Sequence, residues 1–295
     1  MDLTTLPKDF MVTSIQYTKH VHSDQYPSID PSRQELNLAG KVVVITGASR
    51  GLGAKAFAPA FAKAGVKALI LLATNGDKLK TVEQQIKEIN TNIETLTLTA
   101  DISDPPSVST AFKQIKARFG HADILINNAG INADGNGIHI CDADPDTWWR
   151  QFEVNAKGTF LVTQAFIRLL PTPKTHATLI NLTSAAAWAG SPMMAGYNMS
   201  KLVAQQQISA IAALYPNITA VVLHPGLLET DMLPAAMRHF NSETPELPGG
   251  VAVWLSHPHA RFLSGRVVAA VWDVDDLVAR KDEIVAGRGC GLGCR

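Results

Sequence analysis

Tyr197 and Lys201 stand four residues apart in the stretch AGYNMSKLVAQQQISAIAALY. On a helix that spacing puts both side chains on one face. A phenol with an ordinary pKa near ~10 is a poor base at neutral pH, and an adjacent ammonium favours the phenolate and draws that pKa down. Such a pair can take a proton from an alcohol or give one to a carbonyl oxygen. Ser184, thirteen residues earlier at the end of the apolar run ATLINLT, offers a hydroxyl that can hydrogen-bond the same oxygen. A Tyr and a Lys on a plain exposed helix face would read the same, so the elements around them carry the weight.

Those elements alternate. From Lys41 onward short β-branched runs (KVVVIT, ALILLA, ETLTLT, DILIN, ATLINLT, TAVVLH and GRVVAAVW) are separated by stretches of helical periodicity. Runs that are apolar throughout, and not alternating, suit a parallel sheet covered on both faces. Repeated β-α-β crossovers imply an α/β fold with one Rossmann-type doubly wound parallel sheet of about seven strands. The expected layout is an extended arm over 1–40, a catalytic domain over 41–275 and a tail over 276–295. Pro59 lies inside the first helical stretch and argues against a straight helix there.

The turn after the first strand reads TGASRGLG, residues 46 to 53. A strand, a glycine-rich turn and a helix in that order make a phosphate cradle, because amides at the helix start have no intrahelical partners and point at an anion. Gly47 suits the tight turn, and Gly51 and Gly53 let the backbone approach a pyrophosphate.

The spacing T-G-x-x-x-G-x-G resembles the short-chain dehydrogenase/reductase family, and further marks follow in order. NNAG ends the fourth strand run at Gly130, VNAKG carries Asn155, INLTS ends at Ser184, YNMSK gives Tyr197 and Lys201, and HPGLLET supplies Pro225, Gly226 and Thr230. The resemblance covers roughly residues 40 to 275. It implies a catalytic tetrad of Asn155, Ser184, Tyr197 and Lys201. By resemblance, Tyr197 is the general acid/base, Lys201 lowers its pKa and binds the nicotinamide ribose, Ser184 steadies the substrate oxygen, and Asn155 holds a water that relays protons. It also implies dinucleotide contacts from Gly47, Ser49, Arg50, Gly51, Leu52 and Gly53, from Asp101 and Ile102 after the third strand, from Asn128, Ala129 and Gly130, from Tyr197 and Lys201, and from Pro225, Gly226 and Thr230.

The second strand run ends LLATNGDK, with no carboxylate before Asp77 to accept from a ribose 2′-hydroxyl. Arg50 stands where NADPH-using relatives carry a basic residue, and its guanidinium fork suits a phosphate. The cofactor expected is therefore NADP(H) rather than NAD(H), with Arg50, Thr74 and Asn75 at the 2′-phosphate. Asp101 reads either as the family's adenine contact or as a turn aspartate.

In this family the substrate lies between the segment after Ser184 and the stretch after the P-G motif. Trp188, Met193, Met194 and Met232 give an apolar, adaptable lining there, and Arg238 and His239 are the nearby cations. The expected substrate is a fairly apolar ketone, aldehyde or secondary alcohol, and the enzyme a carbonyl reductase or alcohol dehydrogenase. The same scaffold performing a dehydration, isomerisation or cyclisation is the alternative, and a non-catalytic dinucleotide sensor is a third reading. His224 reads as structural. Trp148 and Trp149 cannot both face one core, since neighbours on a helix lie about 100° apart, so one is expected at the interface of a homodimer or homotetramer.

Bulk properties narrow the remaining classes. Lys and Arg number 26 and Asp and Glu also 26, so net charge makes no case for nucleic acid or an anionic membrane. No apolar run is long enough to span a bilayer and the first residues lack a secretory pattern, so a cytoplasmic protein is expected. Three cysteines, Cys141, Cys290 and Cys294, make neither a disulfide framework nor a metal set, and no metal is expected.

Overall fold

A computed structural model describes residues 5–287 apart from 136, 190–193 and 241–242. Seven strands, β1 Val42–Thr46, β2 Ala68–Ala73, β3 Glu94–Thr99, β4 Ile124–Asn127, β5 Ala177–Leu182, β6 Ile218–His224 and β7 Val267–Ala269, form one sheet in the order β3-β2-β1-β4-β5-β6-β7. Every pairing is parallel. The order reverses between β1 and β4, so the strand ends there open a crevice where α/β sheets of this kind take ligands.

The helices are α1 Phe10–Thr13, α2 Ala58–Lys63, α3 Gly76–Ile89, α4 Pro105–Phe119, α5 Pro145–Phe152, α6 Thr159–Leu169, α7 Ala186–Ala189, α8 Ala195–Leu214, α9 Glu246–Leu255, α10 Val274–Ala279 and α11 Lys281–Val285. Alternate residues of β1 feed two cores. Val43 and Ile45 join the cluster with Phe57, Phe61, Leu79 and Val251, while Val42 and Val44 join the one with Phe112, Phe166 and Ile208. Both sheet faces are thus covered, which is why the inner strands carry no polar alternation, whereas the edge strand β3, ETLTLT, alternates and is partly exposed.

Two helical stretches that read as continuous in sequence are interrupted by π-helical turns. Gly53–Phe57 precedes α2, and Glu153–Gly158 joins α5 to α6. Pro59 lies in the first turn of α2, and its ring removes the amide that would bond four residues back; the wider turn just before it lets the helix carry on. In the second case the wide turn carries Asn155.

A seam of amides crosses the interior beneath the strand ends. Asn127 Nδ2 donates to Asn181 Oδ1 at 2.8 Å and to Thr163 Oγ1 at 2.9 Å, and Asn181 Nδ2 donates to the Ala204 carbonyl at 3.1 Å. β4, β5, α6 and α8 are joined by these bonds.

The seventh strand is shorter than GRVVAAVW suggests. The N-terminal segment takes residues 271 and 272: Val21 bridges Trp272 antiparallel, and the His22 amide donates to the Val271 carbonyl at 2.8 Å. This segment contributes Ile29 and Leu36 to the core, and an added Cβ on Gly250 in α9 would fall 2.4 Å from the Ile29 carbonyl oxygen. In the tail, Leu277 and Ile284 are also buried.

Candidate active site

Ser184, Tyr197, Lys201 and Asn155 come together at the C-terminal edge of β5, against the first two turns of α8. Tyr197 is the third residue of α8 and Lys201 lies one turn on, with its ammonium 5.8 Å from the Tyr197 ring centroid. Lys201 is only 5% exposed and donates to the Leu182 carbonyl, the last of β5, at 3.1 Å. Ser184, two residues beyond that strand, hydrogen-bonds the Tyr197 hydroxyl. Asn155 is clamped through its side chain: Oδ1 accepts the Ile131 amide at 2.8 Å, and Nδ2 donates to the Ile131 carbonyl at 2.8 Å and to Ser200 Oγ at 2.9 Å. A Cβ added to Gly130 would lie 3.1 Å from both Asn155 Oδ1 and Lys201 Nζ, so the glycine leaves those two groups a common space.

The electrostatics differ from the sequence expectation. An ammonium was expected to draw the tyrosine down, yet burial pushes the Tyr197 phenol up to about 12, and the Ser184 hydrogen bond offsets only part of this. The same burial pushes Lys201 down to about 8, which weakens it as a cation. Both groups are therefore held toward their neutral forms. His224 is also buried, with its pKa pushed down to about 4, and its Nδ1 accepts the Ala185 amide at 3.3 Å. It buttresses the strand end as a neutral imidazole.

Three residues that sequence reasoning missed set the start of α8. Met194 precedes the helix without capping it through its side chain. The buried carboxylate of Asp134 reaches across instead: Oδ2 accepts the Tyr197 amide at 3.0 Å and Oδ1 accepts Gln151 Nε2 at 2.9 Å. Gln151, fully buried, returns its oxygen to the Ala133 amide at 3.1 Å. Gly196 makes the approach possible, since a Cβ there would sit 2.4 Å from Gln151 Nε2 and 2.8 Å from Trp148 Cδ1. An aspartate four residues beyond NNAG has no local signature; only the tertiary meeting with α8 gives it a role.

The glycine-rich turn has the shape of a cradle. Gly47 and Gly51 adopt φ of 65° and 55°. A Cβ on Gly47 would meet Ala129 Cα at 2.8 Å and one on Gly53 the Gly47 carbonyl oxygen at 2.4 Å, while above Gly51 the first neighbour is Thr230 Cγ2 at 4.0 Å. The turn is thus packed beneath and open above, as a pyrophosphate requires. Asn128 braces it from below, its Nδ2 donating to the Thr46 and Gly47 carbonyls at 2.9 and 3.2 Å, and the Ala129 amide donates to Thr46 Oγ1 at 3.0 Å. Leu52 packs against the core, and Ser49 is half-buried beside it in sequence.

Other predicted cofactor residues are engaged in local contacts. Arg50, exposed at the mouth, pairs with Asp231 at 2.9 Å. Asn75 caps α3 by accepting the Lys78 amide at 2.9 Å, next to the exposed Thr74. Asp101 forms a turn, its Oδ1 accepting from the Ser103 amide and hydroxyl at 2.8 and 2.6 Å, and its Oδ2 faces Arg150 at 3.3 Å. Burial works to raise that carboxyl, but the Ser103 and Arg150 hydrogen bonds hold it below its ordinary value. Ile102 packs its side chain on Gly158, whose added Cβ would lie 2.8 Å from Ile102 Cγ1. Pro225 is buried at the end of β6, and Gly226 takes φ 93°.

Beside β6, Trp188 meets His224 edge-on at 5.9 Å, and its indole N–H is buried without a hydrogen-bond partner among the described residues. Met194 is half-buried at the start of α8, and Met232 is 38% exposed. Met193 lies outside the described residues. Trp148 packs on Phe152 at 4.6 Å while Trp149 is 57% exposed, so one of the pair does face outward. Among the described residues no helix is long and apolar enough to cross a membrane, and no group of three or more His, Cys, Asp or Glu could hold a metal.

The family model for short chain dehydrogenases matches residues 41–239, and the chain belongs to that family of nicotinamide-dependent oxidoreductases. It is similar to the short chain dehydrogenase tazN of Aspergillus terreus, 36% identical over 288 residues that cover 94% of this chain and 60% of that one. It is also similar to the short chain dehydrogenase andI of Emericella variicolor, 34% identical over 279 residues, covering 92% and 93%. The chain therefore spans somewhat less than two thirds of the first relative and nearly all of the second. Among solved structures it is similar to a 3-ketoacyl-(acyl-carrier-protein) reductase from Brucella melitensis complexed with NADH, with TM-score 0.70, 28% identity, and 79% and 97% of the two chains covered.

Proposed function

We propose that the chain is an NADP(H)-dependent carbonyl reductase or secondary alcohol dehydrogenase acting on a fairly apolar ketone, aldehyde or alcohol, with Tyr197 as its general acid/base. The observation that carries the reading is the convergence of Ser184, Tyr197 and Lys201 on one strand end, beside a glycine turn packed below and open above. When bound, the dinucleotide supplies or accepts the hydride. Gly47, Ser49, Arg50, Gly51, Leu52 and Gly53 would hold its phosphates, and Thr230 faces the same opening.

The chain's own residues handle the proton. A phenol pushed up to about 12 stays protonated at neutral pH, which is the form that protonates a carbonyl oxygen during reduction. Ser184, already bonded to the Tyr197 hydroxyl, is placed to share the substrate oxygen as negative charge develops there. Lys201 stands behind the ring with Asn155 across Gly130, a path for returning the proton to Tyr197. Asp134 and Gln151 fix the turn of α8 that aims the phenol.

The preference for NADP(H) rests on Arg50 at the turn and on Ala73, Thr74 and Asn75 ending the second strand without a carboxylate. The apolar side chains Trp149, Phe160, Met199 and Leu202, all more than 40% exposed on α5, α6 and α8, support a homodimer or homotetramer built on those helices.

The test is fluorescence titration with NADPH and NADH, followed by NADPH consumption with a panel of apolar ketones and aldehydes. NADPH should bind at least about tenfold more tightly, a difference of ~1.4 kcal/mol. Tyr197→Phe should keep that binding and lose at least about 100-fold in turnover. Failure of both dinucleotides to bind, or undiminished turnover by Tyr197→Phe, refutes the reading and favours a non-redox step on the same scaffold.

A further inference from the structure

The loop that leaves β6 at Pro225 passes the glycine-rich turn, where Thr230 lies above Gly51 and Asp231 pairs with Arg50, and comes back to the fold beside α9. Its two ends are tied together: Glu243, 7% exposed, accepts the Leu227 amide at 3.0 Å, and a Cβ on Gly226 would fall 3.0 Å from Glu243 Cγ. The next residue, Thr244, is held by the N-terminal arm. Its amide donates to the Ser23 carbonyl at 2.9 Å and its hydroxyl to Asp24 Oδ1 at 2.5 Å. Nearer the middle of the loop, His239 Nε2 meets the Leu6 carbonyl at 3.2 Å, and Phe240, 1% exposed, packs on Phe10 with ring centres 6.5 Å apart.

The arm is itself anchored away from the loop. Trp272 Nε1 donates to the Ile15 carbonyl at 2.9 Å, the Val274 amide to the Tyr26 hydroxyl at 2.8 Å, and Arg280 to the Tyr17 carbonyl at 2.7 Å. His22 Nε2 lies 2.7 Å from Asp273 Oδ2. The segment lies before residue 41, where the family model starts. An arm fastened to 272–280 that also grips His239, Phe240 and Thr244 holds those parts of the loop against the body of the fold.

We infer that the N-terminal arm is part of the substrate-binding apparatus. Through Thr244 and Glu243 it fixes the backbone of Gly226 and Leu227 at the mouth of the site, and so restricts which carbonyl compounds fit. The inference rests on reading the site as one for a carbonyl or alcohol substrate; Glu243 is in this scheme a positioning residue.

Removing the arm would strip Ile29 and Leu36 from the core, so the test uses exposed contacts in the full-length protein. Asp24→Ala and Thr244→Val each delete one partner of the same hydrogen bond. Hydrogen–deuterium exchange of the free protein should show the Leu227 and Thr244 amides exchanging about fivefold faster in either variant, the factor a single lost hydrogen bond gives. The double variant should show no more than the larger single effect. Phe10→Ala should accelerate exchange over 237–240 by itself. With NADPH and the ketone and aldehyde panel, KM should rise severalfold for the tightest-fitting members while kcat and NADPH affinity stay within about twofold. Wild-type exchange at Leu227 in all three variants, or an unchanged KM pattern, overturns the proposal. Absence of NADPH binding to the wild-type protein would instead refute the functional reading and leave the exchange result standing.

Discussion

Lys201 gives a test of the site's electrostatics that needs no substrate. Burial at 5% exposure pushes its pKa down to about 8, against 10.5 for a free lysine. Below pH 8 the side chain is charged in both the folded and the unfolded chain, so stability does not change with pH on its account. Between about 8 and 10.5 the unfolded chain keeps a proton that the folded chain has released, and stability rises wherever the unfolded state binds more protons. The full gain is on the order of 3 kcal/mol, and raising the pH from 8 to 9.5 recovers about 2 kcal/mol of it. The window closes above pH 10, where ionisation of tyrosine in the unfolded chain begins to oppose a Tyr197 held up to about 12. Urea unfolding at pH 7.5, 8.5 and 9.5, for the wild type and Lys201→Met, isolates the contribution as the difference in pH slope. The wild type should gain stability across the series relative to the variant. Parallel slopes would mean that Lys201 is fully solvated or firmly paired, and the account of a desolvated ammonium would fall.

The Arg50–Asp231 pair is exposed on both sides, so it is worth at most about 1 kcal/mol. Asp231→Asn should therefore tighten NADPH binding by up to about fivefold and leave NADH unchanged, and it should do nothing in an Arg50→Ala background; equal effects on the two dinucleotides would separate Arg50 from the 2′-phosphate. Asp134→Ala leaves the part-buried Tyr197 amide and the buried Gln151 Nε2 without their acceptor, at a cost of about 1–3 kcal/mol for each group. Thermal unfolding should register that loss, turnover should fall with NADPH affinity preserved, and Asp134→Ala and Gln151→Ala should be non-additive. Simple additivity would show that the two side chains act independently.

The sheet was legible because its strands carry a local signature: ALILLA is apolar at every position, TAVVLH is apolar but for its end residues, and both strands are buried throughout, as only strands covered on both faces are. The meeting of Ser184, Tyr197 and Lys201 was legible for a similar reason, since a four-residue spacing on a helix and a serine past a strand end depend on local geometry. Three kinds of feature were not. The π-helical turn around Asn155 sits in a stretch whose periodicity reads straight through it. The rise of the Tyr197 pKa depends on how much protein surrounds the phenol, which no spacing encodes. Asp134 and Glu243 each bond a backbone amide far away in sequence, and an isolated acidic residue in a loop carries no sign of such a partner. The shortening of β7 has the same origin, because the competing residues, Val21 and His22, come from the other end of the chain.

The amide seam of Asn127, Thr163, Asn181 and the Ala204 carbonyl bears on how this molecule assembles. Its members are drawn from β4, α6, β5 and α8, and every one of them is sealed from water in the finished fold. With any one element missing, at least one carboxamide would be stranded in an apolar interior, a state that costs more than leaving it in solvent. Partial structures around the site are thus penalised more heavily than the complete one, in which Asn127 Oδ1 is the one carboxamide atom of the seam without a hydrogen-bond partner among the described residues. The floor beneath Tyr197 and Lys201 closes as a unit, so a chain that has the floor at all has it in one register.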